Sequence, residues 1–236
     1  MTIGTFEIPG DAALIAFCGV DGSGKTTQLT LLGDRLAESR EVFRTKQPTP
    51  AFRNDPLIRA YLEDTMDRDD PELSAEIGPE VGLFAAANRY RHLRTEVMPQ
   101  LRAGRVVLTD RYVFTCYAYT EPRGFAPLDW VQEINRYVPY PDLTFFFDVP
   151  PAVSLARIRG RGDTPKWEEL NSARIAAIED QFREQPWGEV PGYHVLDGTL
   201  PVDQLHAIIL ELTNDMLGRK NLPPITIGGS LTAAPR

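Results

Sequence analysis

The sequence predicts an α/β fold, a doubly wound parallel sheet with helices on both faces. Short apolar runs alternate along the chain with segments in which apolar side chains recur at helical spacing. This alternation is typical of parallel strands joined by crossover helices, because parallel strands cannot be connected by a tight turn. The 236 residues, 42% of them hydrophobic, suffice for one sizeable core, so we expect a single domain over residues 1–220.

Runs rich in apolar residues mark the predicted strands, and apolar spacing marks the predicted helices. The predicted strands cover residues 13–17, 41–45, 105–110, 144–149 and 193–198. The predicted helices cover residues 25–38, 55–62, 79–103, 151–158, 171–182 and 202–217. Prolines break the segment between residues 48 and 56 into a loop. The Pro-, Gly- and Ser-rich tail over residues 221–236 is expected to be flexible.

Charge and composition argue against several classes of protein. The formal net charge is −8, and an acidic chain repels the phosphate backbone, so we expect no nucleic-acid partner. Small anionic substrates would need a local basic cluster. Cys18 and Cys116 are too few and too far apart for a disulfide or zinc framework. Apolar runs of membrane-spanning length and a signal peptide are both lacking, so we expect a cytoplasmic protein without a membrane partner.

A glycine-rich segment directly follows the first predicted strand. The sequence GVDGSGKT, residues 19–26, matches the phosphate-binding pattern G-x-x-x-x-G-K-[ST], called the P-loop. Glycines let the backbone approach phosphates, and the next helix directs the positive end of its dipole at them. The lysine offers charge to the β- and γ-phosphates, and the threonine offers a hydroxyl to Mg²⁺. The predicted nucleotide-binding residues are Gly19, Gly22, Ser23, Gly24, Lys25, Thr26 and Thr27.

A chance match to this pattern is expected in roughly one chain in a hundred of this length. Here the motif lies between a predicted strand and an amphipathic helix, which is the context that a true P-loop requires. A GTPase would add the guanine signature [NT]-K-x-D. The segments at Lys46 and Lys166 do not match it, which argues against a GTP-dependent switch.

Four further segments, together with the P-loop, resemble the thymidylate kinase family over roughly residues 13–210. They read FAAANR, DRYVFTCYAYT, PDLTFFFDVPP and RIRGRGD. The resemblance implies a P-loop nucleotide kinase fold. It also implies transfer of the γ-phosphoryl group of ATP, with Mg²⁺, to a nucleoside monophosphate such as dTMP. Relatives in this family are typically homodimers, so the resemblance further implies a homodimer that binds small-molecule nucleotides.

The resemblance assigns roles around the P-loop and the DRY motif. It implies that Arg111 binds the acceptor phosphate, and that Asp110 acts near the transferred group or, with Thr26, near Mg²⁺. Asp21 is implied to face the 3′-hydroxyl of the acceptor sugar and the Mg²⁺ region. Tyr119 is implied to pack against the deoxyribose. The alternatives are a surface ion pair for Asp110 and Arg111, a turn residue for Asp21 and a core aromatic for Tyr119.

Three arginines, Arg157, Arg159 and Arg161, alternate along the chain and lead into two glycines. They resemble the mobile lid of the family, here near residues 157–168, that clamps ATP. The P-loop has no arginine at position 22 or 23, and relatives that lack one there use lid arginines instead. The resemblance therefore implies a catalytic role for at least one of the three; Arg157 and Arg161 are the predicted catalytic residues and Arg159 the predicted nucleotide contact, and which one is catalytic stays open. The alternative is a solvated helix end whose charges complement the helix dipole.

The acceptor site departs from the family pattern. Lys46 stands where relatives have an arginine for the acceptor phosphate, and Arg53 or Arg59 could share that task. Cys116 replaces a common polar residue near the base, and Thr120 replaces a common glutamine. An altered pyrimidine, or a sugar-modified nucleotide of a biosynthetic pathway, therefore stays open as the acceptor.

The predicted base contacts are Phe84, Asn88 and Arg89. The family's stacking aromatic lies four residues before its base-reading arginine, whereas here Phe84 lies five before Arg89. Either Ala85 takes the stacking position, or Phe84 stacks and Asn88 faces the base, unless a π-bulge reconciles both. The third alternative is that Phe84 is plain helix core.

The sequence thus predicts a nucleoside monophosphate kinase. Two rival hypotheses are kept. One is a kinase for a nucleoside or another small metabolite, against which Lys46 and Arg111 argue because they suit an acceptor that already carries a phosphate. The other is a nucleotide-binding regulator without kinase activity.

Overall fold

A computed structural model describes residues 5–62, 66–67, 70–162, 167–184 and 189–225. Part of the predicted lid, residues 163–166, lies outside this described part of the chain. So do residues 226–236 of the predicted tail.

The core of the fold is a parallel sheet whose strands run in the order β2-β3-β1-β4-β5. All of the recorded pairings are parallel, with Phe17 opposite Asp110 and Asp110 opposite Lys46 in register. Helices cover both faces, so the predicted fold class is confirmed. The strands are β1 (Ala13–Cys18), β2 (Val42–Lys46), β3 (Val106–Asp110), β4 (Leu143–Asp148) and β5 (Tyr193–Asp197).

Helices connect the strands, and the two faces of the sheet are covered by helices. The first helices are α1 (Lys25–Ala37), α2 (Pro50–Arg53), α3 (Pro56–Leu62) and α4 (Pro71–His92). A π-helical segment (Leu93–Val97) joins α4 to α5 (Met98–Arg102). The remaining helices are α6 (Val113–Thr120), α7 (Leu128–Ile134), α8 (Pro151–Gly160), α9 (Trp167–Leu170), α10 (Ser172–Glu184) and α11 (Val202–Arg219). Among the described helices, none is both long enough and apolar enough to cross a membrane.

The long helix α4 starts earlier than the sequence predicts. The predicted start was Pro79, but the helix begins at Pro71, where the Asp70 carboxylate accepts hydrogen bonds from the amides of Glu72 and Leu73. Asp at the N-cap followed by Pro at the first helical position marks a helix start. The helix continues through Pro79 with Ser74, Gly78 and Val81 buried, so packing of this face offsets the cost of an interior proline. This early start extends α4 alongside the site described below.

Two apolar clusters occupy the two faces of the sheet. One contains Leu14, Phe146 and Tyr117 and packs under α6 and α10, and the other contains Phe17, Leu32 and Ile209 under α1 and α11. Alternate residues of β1 enter opposite clusters, because successive side chains of a strand point to opposite faces. The sheet is therefore buried on both sides, and its strand ends are left to carry the polar groups.

The carboxyl ends of β1 and β3 meet in the middle of the sheet. From β1 the chain passes to β2 and β3 on one side and then to β4 and β5 on the other. A doubly wound sheet binds its ligands in the crevice at such a reversal of strand order. The fold therefore directs attention to the segments after Cys18 and Asp110.

Candidate active site

The P-loop curls between β1 and α1 and is held by α8. Gly22 has a φ of 82°, and a Cβ there would lie 2.5 Å from the carbonyl oxygen of Ser154. The Ser154 hydroxyl donates to the carbonyl oxygen of Asp21 at 2.7 Å. Only glycine fits such a close approach with a positive φ. The loop therefore keeps one shape, with the first turn of α1 opening from it at Lys25.

Lys25 is buried within this loop. Its Nζ donates to the carbonyl oxygen of Val20 at 2.5 Å and lies 3.4 Å from the Ser23 hydroxyl. Burial, and secondarily the nearby Arg111 charge, lowers the pKa of Lys25 to about 7. A negative charge brought beside the ammonium group would raise that pKa again. The side chain is thus placed to pair with an anion.

Arg111 lies just beyond the end of β3 and points back to the P-loop. Its backbone is left-handed, with a φ of 67°, and its amide donates to the carbonyl oxygen of Phe17 at 2.8 Å. The guanidinium Nη2 donates to Asp21 Oδ1 at 2.5 Å, and Nη1 donates to the Tyr119 hydroxyl at 3.2 Å. Backbone and side-chain contacts together fix the guanidinium at the mouth of the loop.

A cavity of about 460 Å³ has Arg111 in its lining. It combines charged and polar side chains with an apolar wall, as expected for a ligand with a charged head and a flat, largely apolar body. The charged and polar lining residues are Asp21, Gln47, Arg53, Asn88, Arg89, Arg111, Arg123 and Glu169. The apolar wall includes Phe52, Val81, Ala85, Tyr119, Phe125 and Ile175.

A smaller cavity of about 320 Å³ lies along the P-loop. It is lined by Asp21, Gly22, Gly24, Lys25, Thr26, Thr27, Lys46, Asp110, Ile158, Arg161 and Glu169. Asp21 and Glu169 line both cavities, so the two cavities adjoin at these carboxylates. The arrangement can hold two ligands end to end, with cationic side chains on both sides of the junction.

Comparison with known proteins agrees with this geometry. The family model described as thymidylate kinase matches residues 17–209. This chain belongs to the thymidylate kinase family. A relative named thymidylate kinase from Xanthomonas oryzae pv. oryzae is 33% identical over 94% of this chain and 93% of its own length. A relative named probable thymidylate kinase from Pyrococcus abyssi is 37% identical over 85% of this chain and 95% of its own length.

The thymidylate kinase family is a family of kinases, and its members bind small nucleotides, so the enzyme class predicted from the sequence is confirmed. The cavities supply the local basic cluster that an acidic chain needs for anionic ligands. Lysine and arginine side chains concentrate there despite a net charge of −8. The P-loop and the DRY motif, which carried the resemblance, are the two segments that adjoin in the fold.

The smaller cavity also offers oxygen ligands that fit Mg²⁺. Asp110 Oδ1 is buried without a hydrogen-bond partner, while Oδ2 lies 3.0 Å from Lys46 Nζ. The exposed hydroxyl of Thr26 lines the same cavity. Within the described part of the chain, no cluster of three or more metal-ligating His, Cys, Asp or Glu side chains occurs. Mg²⁺ is usually bound by one or two protein oxygens together with phosphates and water, and Asp110 and Thr26 offer such oxygens.

The three lid arginines occupy different places. Arg161 lines the smaller cavity, whereas Arg157 donates to the carbonyl oxygen of Gly198 at 2.8 Å and Arg159 is exposed on α8. Neither Arg157 nor Arg159 is among the residues that line the two cavities. The spacing of the sequence could not separate these three side chains, because a helix turn followed by a loop sends each in a different direction.

The rotation of α4 about its axis decides which of the predicted base contacts line the larger cavity. Ala85, Asn88 and Arg89 line the larger cavity, since i, i+3 and i+4 share one helix face. Phe84 is turned about 100° away from Ala85 and does not line it. Phe84 is not among the residues that line the larger cavity, and its ring stacks on Phe52 with centroids 5.3 Å apart, so the arrangement does not favour its predicted contact with the substrate, which stays a prediction.

The π-helical segment follows residues 84–89 in the chain and does not include them. It starts at Leu93, so residues 84 to 89 are ordinary α-helix and a π-bulge does not bring Phe84 and Arg89 onto one face. Of the two arrangements left open by the spacing, the one with Ala85 at the stacking position agrees with the fold. The aromatic face at this end comes from Phe52 on α2.

Tyr119, Cys116 and Thr120 all line the larger cavity, as their predicted roles require. Two guanidinium groups lie over the Tyr119 ring, that of Arg111 at 5.3 Å and that of Arg123 at 4.6 Å from its centroid. Lys46 lines the smaller cavity and not the larger one, beside Asp110. Two other P-loop residues, Gly19 and Ser23, are not cavity-lining and instead shape the loop.

Several lining residues were missed or left unassigned in the sequence. Phe52 and Arg53 lie on a four-residue helix that the prolines hid, and Arg123 and Phe125 lie in the turn after α6. Glu169 lies on the short helix α9. Arg53 was named in the sequence as a residue that could share the acceptor phosphate, and Arg123 follows the DRY segment at a distance of one helix. The others lie on helices of four residues or in a turn, which are too short to carry a periodic signal in the sequence.

Because Lys25 is buried, replacing it should raise the free energy of unfolding and lower turnover. Replacing it as Lys25→Met should raise the unfolding free energy at pH 7, measured without nucleotide, by about 2 kcal/mol, because a charge is no longer desolvated. Turnover should fall at least about a hundredfold. The stability gain should shrink between pH 7 and pH 9. In that range wild-type Lys25 is deprotonated when folded but protonated when unfolded, so its stability rises with pH.

Urea unfolding at both pH values measures this difference. Lys46→Met is the matched control, since Lys46 is half exposed and its loss should change the unfolding free energy by less than about 1 kcal/mol. A Lys25→Met protein that is less stable than wild type at pH 7, or whose advantage is the same at pH 9, would contradict the assigned burial cost.

Proposed function

We propose that this chain transfers the γ-phosphoryl group of ATP, with Mg²⁺, to dTMP or a closely related pyrimidine monophosphate. One observation carries the proposal: two adjoining cavities share Asp21, with Lys25 on one side of it and Arg111 on the other. Each side offers a fixed cation to a phosphate, so the site suits a donor and an acceptor that both carry phosphate. Membership of the thymidylate kinase family supports the same reaction.

On the donor side, the P-loop backbone and Lys25 would bind the phosphate chain of ATP. The amides of the loop and the first turn of α1 present positive partial charge, and the glycines allow close approach. Thr26 and Asp110 would hold Mg²⁺, which supplies charge neutralisation of the phosphates when bound. Arg161, which lines the same cavity, completes the positive surface.

On the acceptor side, Arg111 would bind the monophosphate and the apolar wall would receive the base. Arg111 is buried, and a bound phosphate would compete with Asp21 for its fork of donors. Tyr119 contacts Arg111 and lines the cavity, where it would pack against the sugar. Phe52 would offer its ring to the base from α2, opposite Asn88 and Arg89 on α4.

Catalysis in this arrangement consists of positioning and charge neutralisation. The transferred phosphoryl group develops charge on its equatorial oxygens, so cations held at the junction lower the barrier without a covalent intermediate. Lys25 and Arg111 are fixed by hydrogen bonds before any ligand binds, which avoids the cost of ordering them during the reaction. Asp21 keeps the two phosphate sites in register because it touches both.

An acceptor screen tests the proposal. With ATP and Mg²⁺, ADP release should be fastest with dTMP or another pyrimidine monophosphate, and thymidine should not replace it, because Arg111 would then lack its phosphate. The measurement is coupled ADP release over dTMP, dUMP, dCMP, UMP, C5-modified pyrimidine monophosphates and thymidine. Faster turnover of thymidine than of any monophosphate would indicate a nucleoside kinase, and a flat response to every acceptor would indicate a regulator.

The position of Arg161 gives a second prediction. Arg161→Ala should lower kcat by about tenfold to a thousandfold and leave the KM of the acceptor nearly unchanged, because its charge lies at the donor cavity. Arg159→Ala is the matched control, since Arg159 is exposed on the same helix and lines neither cavity. Equal losses in both variants would show that the net charge of the lid matters and the position of Arg161 does not.

A further inference from the structure

A chain of buried polar side chains runs from Arg89 at the wall of the larger cavity, through Gln47, to His92, which does not line the cavity and which the proposed mechanism leaves unused. Arg89 Nε donates to Gln47 Oε1 at 3.2 Å, and Gln47 Nε2 lies 2.9 Å from His92 Nδ1. His92 Nε2 in turn lies 2.8 Å from the Thr45 hydroxyl. Gln47, Arg89 and His92 are all nearly inaccessible, with 3%, 6% and 2% exposure. Their hydrogen bonds therefore cannot be replaced readily by water.

The donors and acceptors along this chain can be assigned from chemistry alone. The Nε–H of an arginine can only donate, so Gln47 must turn its oxygen to Arg89. The amide nitrogen of Gln47, which only donates, then faces His92, so Nδ1 must accept. The neutral imidazole therefore carries its proton on Nε2, towards the Thr45 hydroxyl and the Glu96 carboxylate at 3.4 Å.

This arrangement determines how Arg89 enters the cavity. Gln47 holds Nε, and Asn135, itself fixed by donating to the carbonyl oxygen of Val131 at 2.8 Å, accepts from Nη1. Among the described residues, Nη2 has no hydrogen-bond partner, although Arg89 lines the cavity. Two held nitrogens and one unengaged nitrogen leave the guanidinium plane a single orientation. That orientation depends on the direction of the Gln47 amide.

We propose that His92 is a positioning residue that orients Arg89 towards the acceptor base through the amide of Gln47. This rests on the proposed function, since it deepens the account of the acceptor site. His92 does not line the cavity, and it acts only by setting which end of the Gln47 amide faces Arg89. The aligned N–H groups of Arg89 should raise the affinity for the acceptor nucleotide. They should not change the affinity for ATP, which binds in the other cavity.

Protonation of His92 would break this chain. An imidazolium has hydrogens on both nitrogens, so Nδ1–H would oppose the Gln47 amide nitrogen, and the amide would have to turn its nitrogen towards Arg89. The charged groups facing His92 are Arg89 and Glu96, on its own helix and the segment after it, while Thr45 and Gln47 from the β2 side are neutral. Burial lowers the pKa of His92, against an opposing contribution from Glu96, and Arg89 lowers it further. The chain is therefore intact at neutral pH and is lost as the pH falls through that lowered pKa.

Two variants of His92 separate positioning from packing. His92→Asn keeps an acceptor near the place of Nδ1 and cannot titrate in this range, whereas His92→Leu keeps bulk and removes the acceptor. The acceptor KM should rise about tenfold or more in His92→Leu and stay within about threefold of wild type in His92→Asn. The KM of ATP should stay within about twofold in both. A KM of the acceptor that is unchanged in His92→Leu, or an equal rise for ATP, would overturn the proposal.

The pH profile supplies a readout that a purely structural role would not move. The acceptor KM of wild type should rise as the pH falls through the lowered pKa of His92, and His92→Asn should lack that additional rise. Ionisation of the acceptor phosphate, whose second pKa is about 6, is common to both proteins and cancels in their ratio. Superimposable profiles of the two proteins would overturn the proposal.

Nitrogen NMR of the full chain tests the same inference without turnover. With ¹⁵N-labelled histidine, the His92 resonances at pH 7.5 should show Nε2 protonated and Nδ1 as the acceptor. The Nδ1-protonated tautomer would overturn the proposal. If wild type phosphorylates no monophosphate, the proposed function fails instead, and the tautomer measurement still decides whether His92 orients Gln47.

Discussion

The ion pair between Arg111 and Asp21 joins the two halves of the site. Arg111 lies after β3 with its side chain 9% exposed, and a guanidinium buried so deeply requires a carboxylate partner. Asp21 meets this requirement from within the P-loop, so the end of β3 and the phosphate-binding loop are fixed to each other. Both cavities border this pair, and the neighbouring side chains, Lys25 and Tyr119, are arranged around it. A phosphate that binds Arg111 takes over part of the role of Asp21, which links acceptor binding to the shape of the junction.

Much of the fold follows from local properties of the sequence. The central strands β1, β3 and β4 are short apolar runs buried on both faces, and such runs are recognisable because parallel strands need not alternate. The P-loop is recognisable because its chemistry resides in adjacent residues. Arg111 was also predictable, since a polar residue at the end of a buried strand lies where this kind of sheet binds ligands.

The residues that line the acceptor cavity were harder to predict from the sequence. Whether residue 84 or 85 faces the cavity depends on the rotation of α4 about its axis, and packing sets that rotation. Gly78 and Gly82 allow it, because a Cβ at either would clash with Phe125 or Trp130. Those partners lie more than forty residues away in the sequence. Phe52 reaches the site by the same kind of distant packing, on a helix too short to have a periodic signature.

The buried chain from Arg89 to His92 adds a further level of order to the site. Its members come from the end of β2 and from α4, and every hydrogen-bond direction follows from the single fact that an arginine cannot accept. Substrate-facing residues alone would have given a correct list of contacts and no reason for their orientation. The larger cavity is better understood as a pocket in which Arg89 is preorganised by a buried polar chain that ends at His92, away from the cavity lining.

The central claim is that the two cavities form one continuous site for donor and acceptor. Isothermal titration with adenosine and thymidine joined 5′ to 5′ by a five-phosphate chain tests it most directly. One molecule should bind per chain, at least about a hundredfold more tightly than ATP or dTMP alone, and an excess of either nucleotide should displace it. Binding that only ATP displaces, or a stoichiometry of two, would contradict the account.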